Sequence, residues 1–310
     1  MTDPASAGRD DEAARSALAR YDIGSVRSLE RLPSGRAAVR KVITSGGTYL
    51  LKPAGRPAEI ALLARLRALS TYGIRQPEVV RTGTGQLITP EGYFLQEFLP
   101  GELALDPSAG QVVVVMRAVG GLHVALSNLS QDYAPDPGSV FEQVTDPGFL
   151  IAELPALLRY YRLATEGALR AVARLTEHQG ALAALPAQLV HGDIGPDNVL
   201  LAGEQVIAII DFTPHVLPVL FAASTALYWY HVYGQRPVLA ARLAASRAAI
   251  AEARPWPVAE QDLWAAGLVW EGLRRLATTL ELARRAGADP GRAAQARLAA
   301  VEAIAGLTPD

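Results

Sequence analysis

Three polar residues, Asp193, Asn198 and Asp211, stand where short apolar segments with strand character end or are interrupted. Asp193 lies five residues before Asn198, and Asp211 lies thirteen residues after it. A carboxylate can accept or orient the proton of an attacking hydroxyl, and an amide oxygen with a second carboxylate suits magnesium, which takes oxygen ligands. We therefore predict Asp193 as a catalytic residue and Asn198 and Asp211 as metal ligands. This set fits phosphoryl transfer from a magnesium nucleotide, where catalysis is mostly positioning and charge neutralisation.

The segment between Asn198 and Asp211 predicts a β-hairpin. Residues 200–205 have the character of a strand end and a turn, and a second apolar run follows at residues 206–210. A hairpin would fold Asp211 back beside Asn198. Asp197, in the same Gly/Pro-containing loop, is interpreted as a turn former.

The motif His191-Gly192-Asp193, followed by Asn198, resembles the catalytic loop of the aminoglycoside phosphotransferase-like kinases. Ile210-Asp211-Phe212 resembles the metal-binding segment of this family, which includes homoserine and choline kinases and is similar to eukaryotic protein kinases. The eukaryotic protein kinases carry an Arg where this chain has Gly192. The resemblance implies an α+β, two-lobed protein-kinase-like fold, with a small antiparallel-sheet N-lobe and a larger, mainly helical C-lobe. It also implies ATP or GTP as phosphoryl donor, Mg²⁺ as cofactor, a small-molecule hydroxyl as acceptor and a mainly structural role for His191.

Lys52 and Glu59 are the candidate nucleotide-binding side chains. Lys52 closes an apolar strand, which suits a donor to phosphates; the alternative is a surface Lys whose stem lies along an edge strand. Leu50-Leu51-Lys52 also matches the phosphate-contacting strand of the resembled family. Glu59, the only acid of the next predicted helix, would pair with Lys52 and hold it extended. The alternative is a first-turn Glu that the helix dipole favours.

Two further segments are assigned to nucleotide binding by the resemblance. Pro33-Ser34-Gly35-Arg36 resembles the turn that covers the phosphates, although it has one Gly and no glycine-rich run. Ser34 and Gly35 would supply the contacts. Residues 93–101 resemble the hinge between the lobes, where backbone groups of Gln96 and Phe98 would contact adenine.

The acceptor side is poor in acids and rich in aromatic residues. No Asp or Glu occurs between Asp211 and Glu252, so a polycationic aminoglycoside would lack compensating charge there. Thr213 replaces the Gly that is common after Asp-Phe in the resembled family. Core packing is the usual role of such aromatics, and stacking on a sugar or planar acceptor is the alternative. The residues concerned are Tyr228, Trp229, Tyr230, His231, Tyr233, Trp264 and Trp270, with Glu271 and, near the metal Asp, His215 as further candidates.

Composition limits the classes of protein to which this chain can belong. The chain has 310 residues, half of them hydrophobic, which is enough for two lobes with sizeable cores. A net charge of −2 without a Lys/Arg tract argues against a nucleic-acid partner, and the lack of Cys excludes disulfides and thiolate metal sites. The N-terminus has no apolar core of a signal peptide, and the longest apolar stretch, residues 216–232, is short for a membrane span. We expect a cytoplasmic monomer or homodimer with no membrane partner.

Hydrophobic patterning predicts a strand-rich part, residues 1–98, and a mainly helical part, residues 99–310. We assign the first, with an N-terminal extension and helix within residues 1–22, to nucleotide binding, and the second to catalysis and acceptor binding. Strands are predicted at 26–32, 37–44, 48–52, 77–81, 86–89 and 93–98, and a helix at 58–70. Helices are predicted at 108–129, across 150–185, and at 217–233, 237–253, 260–286 and 292–305. The Val-rich run at 112–116 is open between strand and helix.

Two functions from different classes fit these observations. The favoured one is a soluble kinase that moves the γ-phosphate of ATP or GTP to a hydroxyl of a small metabolite or antibiotic. The alternative is a catalytically inactive nucleotide-binding scaffold of the same fold. A protein kinase is disfavoured by Gly192 and by the lack of an evident peptide-docking segment after Asp211.

Overall fold

A computed structural model describes residues 4–32, 39–129, 133–134, 139–234 and 240–307, with backbone alone for residues 4–9 and 71–72. The chain folds as two compact units, Met1–Glu102 and Leu103–Asp310. The first is built on an antiparallel sheet and the second is mainly helical, as predicted for this α+β chain.

The first unit contains a five-stranded antiparallel sheet in the order β1-β2-β3-β5-β4. Its strands are β1 (Val26–Arg31), β2 (Arg40–Thr44), β3 (Thr48–Pro53), β4 (Val79–Val80) and β5 (Tyr93–Glu97). Its helices are α1 (Pro4–Leu18) and α2 (Pro57–Arg65), and a 3-10 helix, Leu66–Tyr72, continues α2. Five of the six predicted strands and both helices are thus present with shifted ends. Residues 37 and 38 of the strand predicted at 37–44 lie outside the described residues.

A buried arginine attaches α1 to this sheet. The Arg40 side chain on β2 is 1% exposed, and its guanidinium lies 2.6 Å from Asp10 Oδ2 and 3.0 Å from Asp11 Oδ1 of α1. Tyr93 Oη donates to Asp10 Oδ1 at 2.7 Å, and the hydrogen bonds from Tyr93 and Arg40 lower the pKa of the Asp10 carboxyl. The acids of the N-terminal segment therefore compensate a buried charge, since an unpaired one would be costly.

The second unit contains helices and four short strands that position the candidate catalytic residues. Its helices are α3 (Ala109–Ser127), α4 (Val140–Gln143), α5 (Pro147–Tyr160), α6 (Glu166–Ala183), α7 (Val219–His231), α8 (Ala240–Ala253), α9 (Val258–Ala286) and α10 (Gly291–Leu307). The strands are β7 (Ala187–His191), β8 (Val199–Ala202), β9 (Gln205–Ile209) and β10 (Pro214–Pro218). A further two-residue strand, β6 (Glu102–Leu103), begins at the last residue of the first unit. β7 pairs antiparallel with β10, and β8 pairs antiparallel with β9.

Two local predictions differ from the structure, and one alternative that the sequence left open is decided by it. The strand predicted at 86–89 is wrong: Thr82 N–H donates to Gln86 O and Gly85 N–H donates to Thr82 O, which closes a turn there instead. Strand β10 occupies the start of the helix predicted at 217–233, because its backbone pairs with β7. The Val-rich run at 112–116 is helical within α3, whose first turn is capped reciprocally by Ser108 and Gln111.

Helix α3 is long and apolar enough to cross a membrane when judged by length and composition alone. Half of its most apolar stretch is buried inside the structure, and the helix packs against α8 and β7. Gln188 Nε2 on β7 also donates to His123 O at 2.7 Å. Burial of this kind is typical of a core helix, and it places α3 directly behind the strand that ends at His191.

Gly120 sets how closely α3 approaches α8. A Cβ atom at Gly120 would lie 2.5 Å from the Ile250 carbonyl oxygen, whereas a Cβ at Gly180 in α6 would meet nothing within 4 Å. We expect Gly120→Ala to lower the free energy of unfolding by about 1–3 kcal/mol through overpacking. The matched control Gly180→Ala should raise it by about 0.5–1 kcal/mol, since Ala favours the helix. Urea titrations followed by circular dichroism would measure both, and equal effects would contradict the close packing.

Candidate active site

A buried imidazole joins the two loops that bear the candidate catalytic residues. His191 ends β7 and its side chain is fully buried. Its Nδ1 accepts from the backbone N–H of Asp193 at 3.2 Å and of Thr213 at 3.4 Å, and its Nε2 lies 3.2 Å from Ile210 O. Burial lowers the pKa of His191 to about 4, so the ring is neutral near pH 7 and donates through Nε2. These contacts support the structural role that the resemblance implies.

The ring of His215 explains why residue 192 is a glycine. A Cβ atom at Gly192 would lie 2.0 Å from His215 Cδ2, so no side chain, including Arg, fits here unless His215 moves. His215 is 4% exposed, and its Nδ1 lies 2.8 Å from Glu142 Oε1 on α4. His215 is therefore a buried, paired side chain of β10.

The predicted hairpin is confirmed, and it joins Asn198 to the strand that precedes Asp211. Val199 pairs with Ile209 across β8 and β9, and Ile210 N–H donates to Asn198 O at 2.8 Å. The Asn198 side chain is buried, and its Nδ2 donates to Asp193 O at 2.8 Å. Its amide oxygen is thus the remaining polar atom of the side chain, the kind of neutral ligand that suits magnesium.

Asp211 has a backbone conformation that few residues with a side chain adopt. Its φ is +53°, in the left-handed region, and its side chain is exposed. This conformation costs roughly 1–2 kcal/mol for an ordinary residue and less for Asp or Asn. The bonds of His191 to Ile210 O and Thr213 N, on either side of Asp211, hold the segment in place. Such strain is concentrated at functional sites.

The oxygen atoms of Asn198 and Asp211 fit one particular type of metal site. Within the described ranges, no group of three or more His, Cys, Asp or Glu side chains could hold a metal ion. A site of one amide and one carboxylate is incomplete for a permanently bound metal. It does fit magnesium, which takes its remaining oxygens from phosphate and water.

Arg275 on α9 holds the Asp193 carboxylate. Its Nη2 lies 2.6 Å from Asp193 Oδ1, and Trp229 Nε1 donates weakly to the same oxygen at 3.4 Å. The Asp193 side chain keeps 40% of its surface exposed, so it remains accessible to a substrate. Burial alone would raise the pKa of Asp193, but the charge and hydrogen bond of Arg275 outweigh it and lower this pKa. Asp193 is therefore an ionised, oriented carboxylate.

A second carboxylate, fully buried, fixes Arg275. Glu271 Oε1 accepts from Arg275 Nε at 2.7 Å, and Arg274 forms a bidentate pair with the same Glu at 2.7 and 2.9 Å. The Arg275 guanidinium also stacks 4.8 Å from the Trp229 ring centroid. Sequence reasoning missed Arg275. The available signal was an acid followed by arginines three and four residues later, but the same pattern recurs on this helix at Glu281 with Arg284 and Arg285, so it does not single out Arg275.

The aromatic residues divide between core and site. Trp270 is 1% exposed and stacks on Phe221 at 4.0 Å, and Tyr228 is fully buried, in agreement with the core-packing interpretation. Trp229 differs, because its ring contacts both Asp193 and Arg275.

The candidate nucleotide-binding residues that the structure describes in the first unit lie on β3, on α2 and at the end of β5. Lys52 lies on β3 opposite Phe94, and Glu59 lies in the first turn of α2, where its Oε1 is 3.7 Å from Arg56 Nη1. Pairing between Glu59 and Lys52 stays a prediction. Gln96 Nε2 donates to Pro77 O at 3.5 Å, and Phe98 N–H donates to Thr48 O at 3.1 Å, so that N–H is engaged within the sheet. Ser34 and Gly35 lie outside the described residues.

Comparison with curated proteins finds homoserine kinases. That of Methylobacterium nodulans is 28% identical over 211 residues, a match that covers 65% of this chain and 64% of the relative. That of Gluconacetobacter diazotrophicus is 30% identical over 221 residues, with the same coverage of both chains. The chain thus spans slightly less than two thirds of the length of these relatives.

Solved structures share the fold at lower identity. An aminoglycoside phosphotransferase from Alicyclobacillus acidocaldarius superposes with a TM-score of 0.65 at 19% identity, covering 94% of both chains. An amicoumacin kinase in complex with AMP-PNP, Ca²⁺ and Ami gives a TM-score of 0.68 at 16% identity, covering 100% of this chain and 97% of that one. The protein-kinase-like fold implied by the resemblance is confirmed.

The model of one protein family, described as the phosphotransferase enzyme family, matches residues 28–256. This range begins within β1 and includes β2 to β5, the His191 loop and the β8–β9 hairpin. That range covers most of the chain and contains Asp193, Asn198 and Asp211 in the order expected from the resemblance. The chain therefore belongs to the phosphotransferase enzyme family.

Proposed function

We propose that this protein is a magnesium-dependent phosphotransferase that moves the γ-phosphate of ATP or GTP to a hydroxyl group of a small molecule. The observation that supports this most is the pair of loops that His191 joins. One presents an exposed, ionised Asp193, and the other presents Asp211 with a left-handed backbone next to the Asn198 hairpin. An oriented carboxylate close to two magnesium-type oxygens is what this transfer requires.

Each candidate residue has one role in the proposal. Asp193 accepts a hydrogen bond from the acceptor hydroxyl and orients its oxygen toward the γ-phosphorus. Its lowered pKa makes it a weak base, which suits a loose transition state in which orientation matters more than early proton removal. Asn198 and Asp211 would hold magnesium, which neutralises phosphate charge when bound.

The nucleotide contacts are proposed for the first unit. Lys52 would donate to the phosphates with Glu59 keeping it extended, and Ser34 and Gly35 would cover the phosphates. Backbone groups of Gln96 and Phe98 would contact adenine. At Phe98 this leaves the carbonyl oxygen, since its N–H already bonds to Thr48.

The relatives support this chemistry. The curated relatives are homoserine kinases, one solved neighbour was crystallised with AMP-PNP and Ca²⁺, and another with ADP and hygromycin B. We therefore propose a small hydroxyl-bearing metabolite or antibiotic as acceptor. The proposal takes the protein to be a cytoplasmic monomer or homodimer without a nucleic-acid or membrane partner.

The first test replaces the proposed catalytic carboxylate. Asp193→Asn should lower turnover by about 10²–10⁴-fold while nucleotide binding stays unchanged, because it removes the negative charge and keeps the shape. ADP release measured against a panel of homoserine, choline, sugars, nucleosides and aminoglycosides would check this. Glu204→Gln, at the exposed turn of the β8–β9 hairpin, is the matched control. Turnover in Asp193→Asn equal to that of the unsubstituted protein would refute the catalytic role, and no turnover with any acceptor would favour the scaffold alternative.

The second test concerns the metal. Asp211→Ala should abolish the magnesium-dependent part of nucleotide binding measured by calorimetry, since one of two protein oxygens is lost. Ala is also strained at a φ of +53°, so Asp211→Asn serves as the companion variant, because Asn tolerates that backbone. Asp211→Asn should fold normally and bind magnesium nucleotide more weakly. Unchanged affinity in this companion would exclude the carboxylate as a ligand.

The third test uses pH. Arg275 holds the pKa of Asp193 below its ordinary value, so the kcat of the unsubstituted protein should fall only at pH values below the usual range of a carboxylic acid. In Arg275→Met the main group that opposes the effect of burial is lost, so the pKa of Asp193 rises and the acid limb of kcat moves to higher pH. Arg285→Met, an exposed Arg at the end of α9, is the control. Superimposable profiles for Arg275→Met and the unsubstituted protein would show that Asp193 does not govern the acid limb.

A further inference from the structure

The backbone directly before Asp193 lies against the ring of His215. The three atoms nearest to a Cβ built at Gly192 all belong to this ring, at 2.0, 2.8 and 3.0 Å. Gly192 N–H also donates to Thr213 O at 2.9 Å. The place of the ring therefore decides where the residue that precedes the proposed catalytic carboxylate can lie.

A carboxylate from a distant part of the chain fixes the orientation of this ring. Glu142 Oε1 lies 2.8 Å from His215 Nδ1, and Nδ1 is the donor because a carboxylate oxygen can only accept. Both side chains are largely buried, so water competes little for this hydrogen bond. The second side-chain torsion of a histidine is broad, and the hydrogen bond to Glu142 selects one orientation of the ring.

Helix α4, which carries Glu142, is itself anchored to α9. Trp270 Nε1 of α9 donates to Thr145 O at 3.0 Å, and Thr145 Oγ1 donates to Glu142 O at 2.6 Å. Val140 and the residue after the helix, Val144, are buried, and α4 packs on α9. The carboxylate that holds His215 therefore stands on a fixed support.

Helix α9 thus constrains Asp193 by two routes. Arg275 of α9 holds the carboxylate, and the contacts through Glu142 and His215 reach the backbone that precedes it. Phosphoryl transfer depends mostly on position, and a misplacement of about 1 Å can cost on the order of 10²-fold in rate.

We propose that Glu142 and His215 are positioning residues for the phosphoryl transfer. The hydrogen bond between them holds the ring against Gly192 and thereby sets the place of Asp193. Both side chains act through the backbone of the loop, and the chemistry stays with Asp193. This inference rests on the proposed function and adds to it two residues outside the catalytic motif.

The first test removes the carboxylate that orients the ring. With ATP, magnesium and the acceptor that gives the fastest ADP release, Glu142→Ala should lower kcat by about 10–100-fold. The KM values of nucleotide and acceptor should stay within about twofold, because binding groups are untouched. Glu142→Gln keeps an oxygen that accepts from Nδ1 and should retain kcat within about threefold.

Glu153→Ala is the matched control, because Glu153 is an exposed Glu on the neighbouring α5. It should leave every constant unchanged. An unchanged kcat in Glu142→Ala would overturn the proposal, whether or not its melting temperature falls, since Glu142 would then be structural only. A Gln variant as slow as the Ala variant would overturn it too, because the hydrogen bond would not be what matters.

A double-mutant cycle tests the contact between the ring and the loop. Gly192→Ala should lower kcat at least tenfold in the unsubstituted background, because the new Cβ displaces the ring. In a His215→Ala background the same substitution should change kcat by less than about twofold, since the space is empty. Equal effects in the two backgrounds would show that the ring does not set the place of residue 192.

A measurement without turnover separates this inference from the proposed function. Hydrogen exchange of the peptide covering residues 189–195 reports on the N–H groups of Gly192 and Asp193, which are bonded in the loop. This peptide should exchange faster in Glu142→Ala than in Glu153→Ala. If that difference is observed but no acceptor supports ADP release, the proposed transfer fails and the positioning of the loop stands. If transfer occurs and Glu142→Ala matches the unsubstituted protein in both kcat and exchange, the transfer stands and the positioning role fails.

Discussion

The candidate site depends on a histidine that stays neutral. Both nitrogens of the His191 ring form hydrogen bonds with backbone groups of two different loops. This is possible because one nitrogen accepts while the other donates. Protonation would convert the accepting nitrogen into a donor facing two other donors. Burial opposes that change by lowering the pKa to about 4. The same ring thereby fixes the start of the Asp193 loop and the left-handed turn at Asp211.

Around this frame, charged side chains form a series of ion pairs that ends at the partly exposed Asp193. Glu271 has no contact with solvent and is ionised because two arginines surround it. One of them, Arg275, is held by Glu271 and in turn fixes the orientation of the Asp193 carboxylate. Asp193 still keeps enough exposed surface to contact a hydroxyl. A buried ion pair of this type adds little net stability, since desolvation offsets the attraction. The pair instead orients the Asp193 carboxylate, which cannot rotate away without breaking its bonds to Arg275 and Trp229.

Local sequence predicted those parts of the structure that depend on local chemistry. The β8–β9 hairpin follows from an apolar run, a Gly-containing turn and a second apolar run, and most helices follow from hydrophobic spacing. The strand predicted at 86–89 is wrong because its apolar residues, Leu87 and Ile88, pack against the core cluster of Ile60, Val79 and Phe94 without forming a strand. Strand β10 was missed because its pairing partner, β7, lies more than twenty residues earlier, and no local pattern records such a pairing.

The sequence by itself determined the family, the order of Asp193, Asn198 and Asp211, and the lack of acids after Asp211, since each is a matter of residue type and spacing. Tertiary structure decided the rest. It brought Arg275, eighty-two residues from Asp193, to within 2.6 Å of that carboxylate, and it placed the His215 ring where residue 192 can have no side chain. Arg297 likewise meets Trp229 only because α10 packs on α9. Contacts between distant segments arise from packing of whole helices, and the local periodicity that identifies each helix says nothing about its neighbour.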